Sequence, residues 1–193
     1  MKSQLTFSFP LHFFIIPGCP KEMRIYSEES EYPSCCWAAK IFEDGIIDEY
    51  VKPFGNFWCG KKNKKSKFVI DLGCSVIIHG VTIRNSKTQQ LLWGTKTFSI
   101  YIADESDGPW WKAMTGDFED PRQLSTVPIK YFDMTGKGRF VKFQVEDFYG
   151  IGAAVQYFEL HSKYSDVWYR ASNALEPANC DHYSFNYEVE GFR

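Results

Sequence analysis

Phe68-Val69-Ile70-Asp71-Leu72-Gly73 is the stretch on which the fold turns. Phe68, Ile70 and Leu72 recur with period two, the spacing that sets side chains on one face of a strand, and Gly73 supplies backbone freedom for a turn. The chain that follows repeats the pattern. Val76 to Arg84 is rich in β-branched residues, Phe98, Ile100 and Ile102 alternate with Ser99 and Tyr101, and Val141, Phe143 and Val145 share one face. Phe158 and Leu160 lie opposite Tyr157 and Glu159, while Trp110 to Met114 and Ile129 to Phe132 add shorter extended segments. Asp104 to Pro109, Gly136-Lys137-Gly138 and Gly150 to Ala154 separate these runs as turns or loops. No heptad, internal repeat or long helical period competes. The reading is all-β: an antiparallel sandwich or jelly roll with loop-rich extensions at both ends.

With 193 residues the chain fits one domain that can bury a core without metal or disulfides. Aromatic residues make up 18%, which suits strands and aromatic recognition surfaces. The formal charge of -2 and a pI near 6.1 provide no bulk field toward nucleic acid or an acidic membrane, so any anion binding must be local. Nucleic acid is therefore not an expected partner. Cys19, Cys35, Cys36, Cys59, Cys74 and Cys180 follow no CxxC spacing, which disfavours a zinc ribbon and permits disulfides; the alternative is buried free thiols. Residues 1–18 read either as a secretory leader, basic at Lys2 and apolar from Leu5 to Ile16, or as a first strand docked on the domain. Residues 19–162 form the expected domain and 163–193 a C-terminal extension without clear period. No apolar run reaches the roughly 18 residues that a transmembrane helix requires.

Two loops stand out. Lys61, Lys62, Lys64, Lys65 and Lys67 crowd the approach to the strand at Phe68, as a solvated hairpin connection or as a basic patch for heparin-like or phosphate groups. Leu91-Leu92-Trp93 places bulky apolar residues in a polar loop, where they either fold back on the core or form an exposed recognition tip.

Several segments taken in order resemble the discoidin domain, also called the coagulation factor type C domain. They are Phe68 to Gly73, Gly80-Val81-Thr82-Ile83-Arg84-Asn85, Thr95-Lys96-Thr97-Phe98-Ser99-Ile100, Asp107-Gly108-Pro109-Trp110, Gly138-Arg139-Phe140-Val141-Lys142-Phe143 and Tyr157-Phe158-Glu159-Leu160. Upstream, Ala39 to Gly45 and Trp58 look like that family's opening. The resemblance spans about Trp37 to His161. It implies a galactose-binding-like jelly roll and a non-catalytic recognition or adhesion module whose partners are cell-surface glycans, phospholipid head groups or proteins, which fold alone does not settle. It also implies a structural calcium, with Asp44 and Glu159 at the matching places and backbone carbonyls near Lys40 and from Ile46 to Glu49 completing the shell. Ile46 departs from the pattern, standing where relatives often carry another acid or amide.

The leading expectation is a secreted or extracellular glycan-binding or adhesion module. Its candidate ligand residues are Arg84, Asn85, Leu91, Leu92, Trp93 and Tyr149, drawn from loops near strand ends, since flat aromatic faces stack on sugars and polar groups bind hydroxyls. The alternatives are a phospholipid-binding module, using Leu91-Leu92-Trp93 together with the lysines, and a protein-docking subunit, which admits an intracellular setting. An enzyme is not expected. His12, His79, His161 and His182 have no metal-ligand spacing, and no nucleophile elbow, P-loop or dinucleotide fingerprint is present.

Overall fold

The computed structural model describes residues 24–31, 38, 41, 57–86 and 93–162. The expectations for residues 1–18 and 163–193, Asp44, Leu91, Leu92, Ala39-Lys40 and Phe42 to Gly45, His12, His182, Cys19, Cys35, Cys36 and Cys180 lie outside the described residues. Seven strands appear: β1 (Arg24–Glu28), β2 (Trp58–Cys59), β3 (Lys67–Asn85), β4 (Trp93–Ala103), β5 (Trp111–Asp117), β6 (Ile129–Gly150) and β7 (Ala154–Ser162). A short 3-10 turn, Pro121–Gln123, lies between β5 and β6. Every strand pairing is antiparallel, in the order β2-β7-β3-β6-β4-β5, with β1 beside β3.

Two long strands convert this ribbon into a sandwich. The first part of β3 pairs Phe68 with Phe143 and Ile70 with Val141; the last part pairs Gly80 with Asp133 and Arg84 with Ile129. The register shifts between Asp71 and Val76 and again between Ile78 and Gly80. Such irregularities bend a strand and increase its twist. The outcome shows in the aromatic contacts. Phe158 pairs in register with Ile83, fifteen positions along β3 from Phe68, so a straight strand would hold them roughly 50 Å apart. Instead the rings of Phe68 and Phe158 are 5.4 Å apart, so the far half of the ribbon lies face to face with the near half.

Between the halves lies the core. Phe143 is stacked 5.0 Å from Phe68 and 5.2 Å from Phe98, with Phe158 and Trp58 edge-on at 5.8 and 6.0 Å. Ile70, Ile83, Ile100, Ile102, Val141 and Val145 are fully buried around them. The period-two readings of Phe98, Ile100 and Ile102, of Val141, Phe143 and Val145, and of Phe158 and Leu160 therefore pick out inward faces.

Two expected turns are absent. Gly73 adopts φ 78, yet the chain stays in β3, so the two runs read as Phe68 to Gly73 and Val76 to Arg84 form one bulged strand. Likewise Gly136-Lys137-Gly138 does not reverse the chain but lies within β6, which joins the two runs expected on either side. The glycines serve close packing: a Cβ on Gly136 would fall 2.4 Å from both Ile102 and Trp111, and one on Gly138 would fall 2.5 Å from Ile102.

Asp71, the one charged residue in the opening stretch, is 1% exposed. A buried carboxylate requires partners, and two arginines supply them. Arg139 donates from Nε to Oδ1 at 2.7 Å and from Nη2 to Oδ2 at 2.9 Å, Arg24 donates twice to Oδ2 at 3.2 and 3.0 Å, and the Gly73 N–H donates to Oδ1 at 2.8 Å. Chiefly through Arg139, these contacts hold the carboxyl down at about 2 against burial. They tie β1, β3 and β6 together around the Gly73 bulge.

Candidate functional site

At the end of the sandwich where β3 stops and β4 begins, several loops are drawn together by backbone and buried polar groups. Asn85 is the first clamp. It is 1% exposed; its Nδ2 donates to the Thr95 carbonyl at 2.8 Å, while Oδ1 accepts the N–H groups of Thr95 and Ser86, both at 3.0 Å. An asparagine suits this place because one amide offers both donors and acceptors to passing backbone. Thr95 extends the link, its Oγ1 donating to the Ala154 carbonyl at 2.9 Å. Arg84 is buried beside it and donates from Nε to the Val127 carbonyl at 3.0 Å, which fixes the segment leading into β6.

Trp93 opens β4 and is 8% exposed. Its ring lies against Gly152, where a Cβ would fall 2.2 Å away, and it clusters with Phe57, Cys59, Ala154 and Ile151. The Gly94 N–H donates to the Gly152 carbonyl at 2.9 Å, so the start of β4 and the turn after β6 are sewn together. Of the two meanings open to Leu91-Leu92-Trp93, Trp93 takes the inward one.

The lysine run docks on the same turn. The N–H of Gly60 donates to the Ala153 carbonyl at 2.9 Å and that of Asn63 to the Ile151 carbonyl at 2.7 Å. Within the run, the Lys64 N–H reaches the Lys61 carbonyl at 3.2 Å and the Lys61 N–H reaches Ser66 Oγ at 2.7 Å, while the Lys62 N–H donates to Glu31 at 2.8 Å. Asn63 has φ 55, a left-handed conformation that asparagine tolerates better than most residues. Lys61, Lys62, Lys64 and Lys65 are all exposed on this pinned backbone. Lys67 stands apart on β3, with its ammonium 4.0 Å from Glu29.

Tyr149 forms the third side. Partly exposed, it donates its hydroxyl to the Phe118 carbonyl at 3.0 Å, and the Arg122 guanidinium lies 5.9 Å from its ring centre. Arg122 in turn grips Asp120, and this hydrogen bonding holds the Asp120 carboxyl below its ordinary range. Lys96 pairs with Asp147 at 2.7 Å; that hydrogen bond lowers the aspartate and raises the lysine. The structure thus brings Arg84, Asn85, Trp93, Tyr149 and the turn Lys61 to Lys65 to one end of the sandwich. It buries the first three and leaves the lysines and part of Tyr149 facing water.

Glu159 lies on β7, where its carboxylate accepts the Tyr157 hydroxyl at 2.6 Å. Among the described residues no cluster of three or more histidine, cysteine or acidic side chains has a geometry that would hold a metal. His79 is exposed, with its ring 6.0 Å from that of His161; His161 shares a 2.7 Å hydrogen bond with Thr82, and burial, with His79 nearby, lowers its pKa. Among the described residues no helix is long and apolar enough to cross a membrane.

Sequence reasoning passed over the clamp role of Asn85 and the Asp71 cluster. The signal for Asp71 was present: an acid inside an otherwise apolar strand needs cations from elsewhere in the chain. Asn85 offered none, since its partners are backbone groups that only the fold brings near.

No protein-family model matches the chain, and no curated protein sequence does. Solved structures do. CpGH89CBM32-5 from Clostridium perfringens, in complex with GalNAc-β-1,3-galactose, is 17% identical with a TM-score of 0.52 over 72% of this chain and 93% of that one. Chitosan-binding module 1 of a chitosanase/glucanase from Paenibacillus sp. IK-5 is 13% identical with a TM-score of 0.53, covering 74% and 96%. The C-terminal domain of a chitobiase from Bacteroides fragilis is 16% identical with a TM-score of 0.55, covering 74% and 94%. Identities this low speak for fold alone. The fold is the discoidin or galactose-binding-like jelly roll that the sequence resemblance implied.

Proposed function

We propose that this jelly roll is a non-catalytic glycan-binding module that engages its ligand at the loop end bounded by Lys61 to Lys65, Trp93 to Lys96, Asp117 to Gln123 and Asp147 to Ala153. The observation that carries the reading is the convergence of those four segments, locked by Asn85, Thr95 and the backbone contacts of Gly152, on a fold shared with modules solved on GalNAc-β-1,3-galactose or described as chitosan-binding. A preordered rim of this kind lowers the entropy lost on binding, which matters for weak ligands such as sugars. Arg84, Asn85 and Trp93 act in this reading as supports from below, holding the loops rather than touching the sugar. Tyr149 and the lysines supply the outward contacts, and Leu91 and Leu92, outside the described residues, stay as further candidates from the sequence. Affinity electrophoresis in gels cast with galactose-rich or amino-sugar polysaccharides tests this: retarded migration is expected, and migration equal to that of an inert protein in every gel rejects it.

The phospholipid alternative needs an exposed apolar wedge, and of Leu91-Leu92-Trp93 the burial of Trp93 against Gly152 withdraws that residue from the role. Among the described residues no specific contact favours protein docking. The proposal extends to an extracellular setting with disulfides among the six cysteines, which mass spectrometry of the unreduced protein checks. It also extends to a structural calcium at Asp44 and Glu159, whose carboxylate oxygens are the donors that this ion prefers. Calorimetric titration with calcium is expected to show saturable binding that Glu159→Gln weakens. A flat titration removes calcium from the account and leaves the glycan site standing.

A further inference from the structure

We infer that the turn from Lys61 to Lys65 is an anion-recognition element and that the ligand of this end is an acidic polysaccharide bearing sulfate or uronate groups; this rests on the glycan-binding reading above.

The charge is concentrated and only partly compensated. Lys61, Lys62, Lys64 and Lys65 are exposed within five residues of a chain whose net charge is -2. Elsewhere Lys67 is paired with Glu29, Lys96 with Asp147 and Lys130 with Glu119, while Lys112 and Lys142 lie over the Tyr101 ring; no other stretch of the described residues gathers four exposed lysines. Among the described residues none of the four turn lysines has an ion-pair partner. Two acids border the turn without pairing with its ammonium groups: Glu31 accepts the backbone N–H of Lys62, and Asp147, held by Lys96, also feels the charge of Lys65, so the four positive charges are offset only in part. Like charges this close repel, and an anion with several negative groups relieves the repulsion.

The backbone beneath the charges is not a loose connection. Gly60 and Asn63 are tied to the turn after β6, Lys61 to Ser66 and Lys64 to Lys61. A hairpin that needed only to be soluble has no reason to hold four ammonium groups on so tethered a frame. Pinned in this way, they form a patch of fixed origin, while their flexible stems adapt to irregularly spaced sulfates. The apolar neighbours separate a glycan from a bilayer. Among the described residues the large apolar side chains beside the turn, Trp93 and Phe57, are 8% and 5% exposed and offer nothing to insert among lipid tails. Charge with no apolar wedge among the described residues suits a hydrated polyanion.

The test uses the full chain, the variant K61Q/K62Q/K64Q/K65Q and a charge-conserving variant with arginine at the same four positions. Each is applied to immobilised heparin, to desulfated heparin, to phosphatidylserine/phosphatidylcholine vesicles and to a neutral galactose-terminated glycan. We expect heparin binding that weakens with salt and with desulfation, falls about tenfold or more in the glutamine variant, and survives in the arginine variant. Urea-unfolding midpoints are expected to be equal in all three proteins, which shows that the variants are folded. Heparin binding unchanged by the glutamine variant, vesicle binding as tight as heparin binding, or neutral-glycan binding without any heparin binding each overturns the inference while leaving the glycan reading in place. Failure of every glycan, acidic or neutral, overturns the glycan reading and this inference together.

Discussion

Asp71→Asn neutralises the carboxylate that Arg24 and Arg139 share, and its effect follows from the geometry. The folded protein holds this group down at about 2 against an ordinary value of 3.8. At roughly 1.4 kcal/mol per pH unit, that difference corresponds to about 2 kcal/mol of stability. The partners temper any larger figure, because Arg24 and Arg139 side chains are 68% and 40% exposed and water screens them. Asparagine also turns an amide donor toward guanidinium donors, so a loss of about 2–3 kcal/mol is expected near neutral pH. The sign is fixed by linkage. A carboxyl whose folded pKa is lowered contributes stability that is fully present above its unfolded value and is lost as pH falls through the folded one. The gap between wild type and Asp71→Asn should therefore stay constant down to about pH 5 and shrink steadily between about pH 4 and pH 2. Urea unfolding at a series of pH values reads this directly, with the midpoint moving and the slope unchanged. Arg139→Gln should cost more than Arg24→Gln, since Arg139 gives the carboxyl its shorter hydrogen bonds. A gap below about 0.5 kcal/mol at neutral pH, or one of constant size down to about pH 2, refutes the reasoning.

Phe143→Ala empties the position that touches Phe68, Phe98, Phe158 and Trp58, and should destabilise by about 3–5 kcal/mol in the same assay. Asn85→Ala removes three buried hydrogen bonds and leaves the Thr95 backbone unsatisfied; about 2 kcal/mol is expected, with faster amide exchange at Thr95 by hydrogen-exchange mass spectrometry.

The fold was legible because its signals are local and repeated. Alternation at Phe98 to Ile102 and Val141 to Val145 marks inward faces whatever the strand order. The lengths of β3 and β6 were less legible, and the reason is physical. Glycine marks either a reversal or a place where something packs against bare backbone, and only the neighbours decide. At Gly136 those neighbours are Ile102 on β4 and Trp111 on β5, distant in sequence. The same limit applies at the candidate site. The residues Arg84, Asn85, Trp93 and Tyr149 could be placed near strand ends from the sequence, and they do share one end. Which of them face water depends on Thr95, Val127 and Gly152, contacts that no spacing announces. The lysine run needed no tertiary information to be seen, but its tethering to Ile151 and Ala153 did.

The central claim is that this jelly roll binds glycans without acting on them. A glycan array spanning neutral galactosides, amino sugars and sulfated or uronate-rich chains, probed with calcium and again with chelator, tests it most directly. The account predicts reproducible binding to a related group of glycans that remain chemically unchanged after elution. An array blank under both conditions, or recovery of cleaved glycan, contradicts it.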